Sequence, residues 1–310
     1  MPETHVHAAF ASDGPQARQL GTHGIDSVRD FVSENLDKTR RGISLEPITR
    51  IVTTSWDDGD PADLKVASLL GTRGLPGTFF IPMTGYRGRQ ILLPSDLRSL
   101  AAEGFEIGAH SVTHRTLQGL PTSEIEHEVR GSKQALEGIL GSEVPMFCYP
   151  RGRFDHSVSD QLKAAGFRGA RTTRMLSIEA DFARFEMPTS LQAYPHTDWT
   201  YLKNIAKARK TGRLLEFARR FRGSENWVTL GKLLFDRVMK DGGIWHLYGH
   251  SWEIEELGLW SGLAELLDYV RGREGIHYAT NTGTLNAVTG YGSPAQKIRH
   301  YVETQNYSRS

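Results

Sequence analysis

The sequence predicts an α/β protein with a parallel sheet covered by helices on both faces. Two observations support this fold class. Short apolar, β-branched or aromatic runs alternate with longer helical patterns along most of the chain. Several of these runs are apolar at successive positions, which is typical of parallel strands buried on both sides. The alternation fits either a (β/α) barrel or an open doubly wound sheet, and the residue pattern leaves both open.

Eight segments have the length and composition of strands. They are ITRIVTTSW (48–56), GTFFIP (77–82), FEIGAH (105–110), MFCYP (146–150), FRGARTT (167–173), FEMPTSL (185–191), GIWHLYGH (243–250) and IHYATN (276–281). β-branched and aromatic residues are frequent in these runs, as in strands generally.

Helices are predicted between the strands from their apolar spacing and their end residues. The predicted ranges are 61–73, 95–103, 122–141, 155–165, 227–241 and 254–272. The first opens with Pro61 and stops near Gly74, an arrangement typical of helix ends. Ser123 and Glu126 have the spacing of a capping box at the start of the third.

The 310 residues are enough for one large domain with extensions. Residues 1–45 lack a clear period and are predicted to form a partly irregular N-terminal arm. The main domain is predicted at 46–290, with a basic helical insertion at about 196–225 and a C-terminal tail at 291–310. The basic residues of 203–222 fit either a solvated helix face, which is favoured, or a surface over an anionic substrate or lipid.

Composition excludes several classes of protein. Lys and Arg number 37 and Asp and Glu 36, so the net charge gives no argument for a nucleic-acid or membrane partner. The single cysteine, Cys148, excludes an intrachain disulfide. No run approaches the roughly 18 apolar residues of a membrane span. The first residues lack a signal-peptide pattern, so a soluble, cytoplasmic protein is expected.

Charged and imidazole side chains follow two of the predicted strands. Asp57 and Asp58 stand at the end of the first, and His110 and His114 at the end of the third. On a helical turn the two histidines would face the same way. Because functional groups gather at the carboxyl edge of parallel strands, these side chains are expected to meet. Two imidazoles and one carboxylate would bind a divalent metal with a position left for water, and the second carboxylate could serve as a base.

A rigid turn follows the fourth strand in FCYPRG. Pro150 and Gly152 could present the backbone N–H of Tyr149 or Arg151 to a developing oxyanion. An ordinary turn explains the same residues equally well.

The strand 243–250 ends in a further histidine at the same predicted edge. His250 could protonate a leaving amine, whereas His246, within the strand, is interpreted as a hydrogen-bonded core histidine. Trp245, Trp252 and Trp260 surround this segment in the sequence. They are interpreted as core residues or as a stacking surface for a sugar ring.

Together these motifs resemble those of the polysaccharide deacetylase family, the NodB-homology carbohydrate esterases, over residues 48–285. TSWDDG, HSVTH, CYPRG and HLYGH resemble the successive family motifs. The resemblance implies a deformed (β/α) barrel of about seven or eight strands. It also implies metal-dependent removal of an N- or O-acyl group, usually acetyl.

Carried over residue by residue, the resemblance implies a complete catalytic set. Asp57 would be the general base and His250 the general acid, while Asp58, His110 and His114 would bind the metal. One divalent ion is implied, with zinc favoured and cobalt, nickel or manganese as alternatives.

The sequence departs from the family pattern in the third motif and beyond. Many members have an arginine there that holds the base; the matching residue is Cys148, and Arg151 and Arg171 are the candidate substitutes. The later Asp-Trp pair is matched only loosely by TDW at 197–199. The F-x-Y-P-x-G and GHS-x-E variants resemble a divergent branch. In the latter, Glu253 either orients the site, with Trp252 as a neighbouring support, or is a helix-start carboxylate.

The predicted function is hydrolysis of an N-acyl group, most often N-acetyl, on an amino-sugar small molecule, an oligosaccharide or a glycolipid precursor. A deformylase, a cyclic amidase or an O-acetyl esterase would use the same machinery. A non-catalytic carbohydrate-binding protein is the alternative of a different class. No nucleic-acid partner is expected, and the sequence leaves the oligomeric state open.

Overall fold

The computed structural model describes residues 50–197, 199–201 and 226–289, and within them eight strands form one parallel sheet. The strands are β1 (Arg50–Asp57), β2 (Thr78–Ile81), β3 (Glu106–Ala109), β4 (Met146–Cys148), β5 (Gly169–Arg171), β6 (Leu191–Gln192), β7 (Gly243–Gly249) and β8 (His277–Tyr278). Six of the eight strands fall within their predicted segments, and β1 extends one residue beyond its segment, to Asp57. The order β5-β4-β3-β2-β1-β7-β6 places β1 between β2 and β7, and β8 also pairs with the first half of β1.

The segment that precedes β6 links the two ends of the sheet, because it contacts both β5 and β7. Met187 forms a parallel bridge with Arg171 of β5, and a few residues later Leu191 pairs with Leu247 of β7. The sheet is therefore curled into a deformed (β/α) barrel. The barrel prediction is confirmed, and the open doubly wound alternative is wrong.

Eight α-helices of the described residues connect or follow the strands. They are α1 (Asp63–Gly71), α2 (Pro94–Ala102), α3 (Thr122–Leu140), α4 (His156–Ala164), α5 (Trp227–Asp241), α6 (Ser251–Glu256), α7 (Trp260–Val270) and α8 (Asn281–Thr289). Two 3₁₀ turns lie at Tyr86–Gly88 and Pro150–Gly152. Across these described segments, none of the helices combines the length and apolar character needed to span a bilayer.

The core lies between the sheet and its helices. Trp56, Phe79, Phe147 and Trp245 are fully buried. The indole N–H of Trp245 donates to the Gly231 carbonyl at 2.9 Å, which ties β7 to α5. A Cβ at Gly231 would lie 2.6 Å from Leu266, so α5 and α7 approach closely only because this residue has no side chain.

The predicted strand 185–191 is wrong over most of its length. Only Leu191 and the residue after it belong to β6. The backbone N–H of Met187 donates to the Ala170 carbonyl in β5, whereas that of Ser190 donates to the His246 carbonyl in β7. Because the segment crosses from one strand to the other, it cannot form a continuous ladder with either.

Two helix predictions also differ from the structure. α3 has Pro121 as its N-cap without a side-chain cap bond, so Ser123 lies inside the first turn and the capping box does not form. The predicted helix 254–272 is two helices, because Gly258 has a φ of 64° and ends α6. The arm 1–45, the segment 203–222, Asp198 and the tail 291–310 lie outside the described residues.

Candidate active site

The carboxyl ends of β1, β3 and β7 and the turn after β4 surround a cavity of about 290 Å³. Among its lining residues are Asp57, Asp58, His110, His114, Arg151, His250, Trp252 and Glu253, all singled out in the sequence. Tyr86, Thr173 and Tyr248 complete the lining. The parallel register accounts for this convergence, since strand ends far apart in the chain share one edge of the sheet.

The two adjacent aspartates point to different partners. Asp57 ends β1 and its Oδ1 accepts from the guanidinium of Arg171. Asp58 follows in a positive-φ conformation (79°), with Gly59 also at positive φ (63°). This sharp turn directs the second carboxylate to the histidines, which relieves the repulsion expected between neighbouring acids. A left-handed non-glycine residue costs about 1 kcal/mol or more and is concentrated at functional sites.

Asp58, His110 and His114 form a buried group whose ligand atoms lie within 4.8 Å of one another. Asp58 Oδ1 is 3.0 Å from His114 Nε2 and 3.7 Å from His110 Nε2, and that oxygen has no hydrogen-bond partner in the described part of the chain. A buried carboxylate oxygen that faces two imidazole nitrogens fits a divalent cation well. These three residues could hold the metal that the sequence predicts.

The second ring nitrogen of His110 fixes its orientation. Nδ1 donates to the Cys148 carbonyl at 2.8 Å, which leaves Nε2 without a proton and directed at Asp58. Burial lowers the pKa of His110 to about 4. The ring is therefore neutral near pH 7, the form that binds metals.

The loop that carries the two histidines is not a helical turn, contrary to the prediction from their spacing. Ser111 and His114 have positive φ (66° and 56°), and Ser111 Oγ accepts from the His114 N–H at 3.0 Å. Glu128 of α3, buried to 2 % exposure, accepts from the N–H of Val112 (2.9 Å) and from Thr113 N–H (2.8 Å) and Oγ1 (2.6 Å). Glu128 thus holds the loop in place from α3. It was not predicted from the sequence, because no pattern in its helical neighbourhood marks it as a supporting residue.

Of the two candidate arginines, Arg171 is the one that contacts Asp57. It is fully buried on β5, and its guanidinium bonds to Asp57 Oδ1. Burial alone would raise the pKa of Asp57, but the charge of Arg171, together with that of His250, outweighs it and holds that pKa below its usual value. Asp57 is therefore ionised, and its Oδ2 remains directed towards His250 Nε2 at 4.0 Å. Cys148, whose thiol pKa is raised well above normal by burial, lies 3.7 Å from the same oxygen.

His250 is oriented by Glu253, one turn along in α6. Its Nδ1 donates to Glu253 Oε2 at 2.7 Å, so Nε2 faces the aspartates. Burial acts against the charged ring, but Glu253, Asp58 and Asp57 overcome it and raise the pKa of His250 to about 9. The ring is therefore protonated near neutral pH, as a general acid must be.

Gln192 of β6 supports this pair and was not found from the sequence. Its Oε1 accepts from Tyr248 OH (2.8 Å) and His196 Nε2 (2.9 Å), and these two donors fix the orientation of the amide. Its Nε2 consequently donates to Glu253 Oε2 at 2.9 Å.

Trp252 is the one predicted tryptophan that lines the cavity. Its indole N–H donates to Asp58 Oδ2 at 2.9 Å, leaving Oδ1 to face the imidazoles. Trp245 belongs to the core, as interpreted from the sequence, and Trp260 bonds to Glu255 at the surface. The three therefore do not form one stacking surface.

Tyr149 and Arg151, the two candidates for an oxyanion contact after β4, lie in different surroundings. The Tyr149 N–H donates to the Arg171 carbonyl at 3.4 Å, and its hydroxyl donates to the Phe185 carbonyl at 3.1 Å. Tyr149 does not line the cavity, whereas Arg151 does.

His246 is buried and bonded to Ser55 Oγ (2.8 Å) and the Pro188 carbonyl (3.1 Å), as interpreted from the sequence.

Residues 46–170 match the family model of polysaccharide deacetylases. The chain contains a domain of the polysaccharide deacetylase family. The family assignment made from the motifs is thereby confirmed, with Asp57, Asp58, His110 and His114 inside the matched segment. His250 and its partners lie beyond it.

Individual relatives are similar over parts of the chain. YxkH of Bacillus subtilis, whose name assigns it provisionally to the polysaccharide deacetylases, is 22% identical over 129 residues, 41% of this chain and 46% of its own. An uncharacterized protein of Streptomyces coelicolor is 30% identical over 124 residues, 37% of this chain and 47% of its own. The chain thus spans about half the length of these curated relatives. A crystal structure from Mycobacterium smegmatis, provisionally assigned to the polysaccharide deacetylases, has the same fold with a TM-score of 0.57 and 18% identity, covering 78% of this chain and 91% of that one.

Proposed function

We propose that this protein is a metal-dependent hydrolase that removes an N-acyl group, most often N-acetyl, from an amino sugar or from a glycan or glycolipid precursor. One observation carries the proposal. Three residues that could hold a metal ion lie beside an ionised carboxylate and a protonated imidazole in a single cavity. Hydrolysis of an amide needs a base and an acid in these protonation states, whereas a binding protein does not.

Asp58, His110 and His114 would hold the metal. A divalent cation with three protein ligands supplies Lewis acidity and lowers the pKa of a water molecule towards about 7. Zinc suits this mixed nitrogen and oxygen set best, with cobalt, nickel or manganese as alternatives.

Asp57 and His250 carry out the two proton transfers. Asp57 Oδ2 takes a proton from the attacking water, because Oδ1 is held by Arg171. His250 Nε2 gives its proton to the departing nitrogen, while Glu253 stabilises the cationic ring. The C–N bond breaks, and one water yields a carboxylic acid and a free amine.

The backbone N–H of Arg151 is the donor assigned to the oxyanion. The Tyr149 N–H already donates to a carbonyl, and the Arg151 residue lines the cavity. Preorganised N–H donors of this kind lower the barrier by stabilising the tetrahedral intermediate, with about 10²- to 10³-fold in rate for one donor.

The experiment is to measure acid release from N-acetyl, N-formyl and O-acetyl amino sugars with and without a chelator. We expect acetate release from N-acetyl substrates that stops after chelation and returns with added zinc. Asp57→Asn should keep its zinc and lose at least about 100-fold in turnover, the scale of general-base catalysis. Release that is indifferent to chelation, or an Asp57→Asn variant with wild-type turnover, would contradict the proposal. Preferential release of formate or of O-acetyl groups would replace the N-acetyl assignment by the corresponding alternative.

A further inference from the structure

Arg151 differs from the other charged residues of the cavity in having no acidic partner. Asp57 is paired with Arg171, Asp58 lies against two imidazoles, and Glu253 is bonded to His250. Arg151 lines the same cavity, yet it forms no ion pair with any residue that the structure describes. Arg151 is thus the one arginine of this lining, exposed to solvent and without an acidic partner among the described residues, beside carboxylates that already have partners.

Other arginines near the cavity do form ion pairs with acidic residues. Arg89 stacks on the Trp252 ring, with its guanidinium carbon 4.3 Å from the ring centroid, and pairs with Asp60 and Glu256. Arg174 pairs with Glu186 at 2.6 Å. Arg87 and Arg153 also form no ion pair with the described residues, but neither lines the cavity, as Arg151 does.

The backbone holds Arg151 in a conformation that a non-glycine residue adopts only at a cost. Its φ is 57°, in the turn Pro150–Gly152. Gly152 also has positive φ (65°), and a Cβ there would lie 2.0 Å from Thr173 Oγ1, so the turn is pressed against the cavity wall. Such outliers persist where the surrounding structure enforces them, often at ligand-binding sites.

We propose that the guanidinium of Arg151 binds an anionic group of the substrate, a carboxylate or a phosphate, close to the acyl group that is removed. The planar fork of a guanidinium matches two oxygens of either group and forms charge-assisted hydrogen bonds with them. The inference rests on the proposed hydrolysis at this site and narrows its substrates to acidic amino sugars or their derivatives.

The kinetic test compares three N-acetylated substrates: N-acetylglucosamine, its 6-phosphate, and N-acetylmuramic acid, which carries a carboxylate. The measured quantity is the ratio of kcat/KM for each anionic substrate to that for the neutral one, because a general loss of activity cancels in this ratio. We expect a ratio well above one, and a fall of about 10- to 100-fold in Arg151→Gln, the scale of a lost charged hydrogen bond. Arg151→Lys keeps the charge and should retain an intermediate ratio. The relative size of the fall for phosphate and carboxylate identifies which group the site prefers.

Arg153→Gln is the matched control, since Arg153 is exposed two residues away and does not line the cavity. It should leave the ratio unchanged. A ratio near one in the wild type, or an equal ratio in Arg151→Gln and wild type, would overturn the proposal. An equal fall in Arg153→Gln would also overturn it, because it would indicate a diffuse surface charge.

A binding measurement separates this proposal from the proposed function. Titration calorimetry of the chelator-treated protein with glucosamine 6-phosphate and with glucosamine needs no turnover and no metal. Tighter binding of the phosphate that disappears in Arg151→Gln would support the anion site even if no acid were ever released. Equal binding of the two ligands, or no binding of either, would refute the anion site even if the enzyme proved to be a deacetylase.

Discussion

Replacing Glu128 tests whether the histidine loop is held in place by the helix beneath it. Glu128 accepts three hydrogen bonds from residues 112 and 113, between the two imidazoles. Glu128→Ala removes all three acceptors at once. It touches neither imidazole directly, so any effect on metal binding must act through the loop.

The expected magnitude follows from the bonds that are lost. Two backbone N–H groups lose a carboxylate acceptor, and a charged hydrogen bond contributes about 1.5–3 kcal/mol. Because Thr113 is exposed and Val112 partly so, water will replace part of this loss. We therefore expect a decrease of about 2–3 kcal/mol in the free energy of unfolding. Loss of groups that orient metal ligands typically weakens metal binding by about 10- to 100-fold, and we expect this for zinc.

Glu128→Gln is the matched control. Its amide oxygen can accept both backbone N–H groups, and its NH₂ group can donate to the Thr113 hydroxyl. Zinc affinity should thus stay within about threefold of wild type, since the acceptor geometry is kept. The measurements are zinc titration against a chromophoric chelator and urea unfolding of the metal-free protein. Wild-type zinc affinity in a folded Glu128→Ala variant would refute the reasoning.

Three further changes test other parts of the site and core. His114→Ala should abolish tight zinc binding, measured as metal content after dialysis; unchanged content would contradict its role as a ligand. Gln192→Leu should lower kcat by about 10-fold with zinc content unchanged, because Glu253 loses the amide that fixes it; an unchanged kcat would contradict this. Burial raises the pKa of Asp63 well above its usual value, so folding becomes less favourable as pH rises from about 4 through that raised pKa. Asp63→Asn should therefore raise Tm at pH 7, with a gain that disappears near pH 4, and a pH-independent gain would refute this.

The positions of the strands and of their carboxyl ends were predictable because they depend on local hydrophobic pattern. Asp57, His110 and His250 stand at strand ends in the sequence, and parallel pairing carries them to one cavity. The details within the loops were not predictable. The positive φ values of Asp58 and His114 depend on tertiary contacts such as those of Glu128, which no local pattern encodes. The short length of β6 was not predictable either, because it depends on how the preceding segment crosses from β5 to β7.

The partner of Asp57 could not be predicted from the positions of motifs along the chain. Cys148 stands where many family members have the arginine, so the sequence alone leaves the partner of Asp57 open. In the sheet, Cys148 of β4 pairs directly with Arg171 of β5. Arg171 therefore reaches Asp57 from the neighbouring position of the adjacent strand, although it is 23 residues further along the chain.

The pairing of Cys148 with Arg171 predicts that an arginine at position 148 can replace Arg171 as the partner of Asp57. Arg171→Leu leaves Asp57 buried without its counter-charge and should cost about 3–5 kcal/mol of stability together with most of the activity. Adding Cys148→Arg to that variant places a guanidinium on the neighbouring strand, next to the space that Arg171 vacates, and should recover part of both losses. Cys148→Arg alone should destabilise the protein, because two buried guanidinium groups would then share one carboxylate. Urea unfolding and kcat measure the outcome. A double variant no more stable and no more active than Arg171→Leu would show that the two strand positions are not equivalent in holding Asp57.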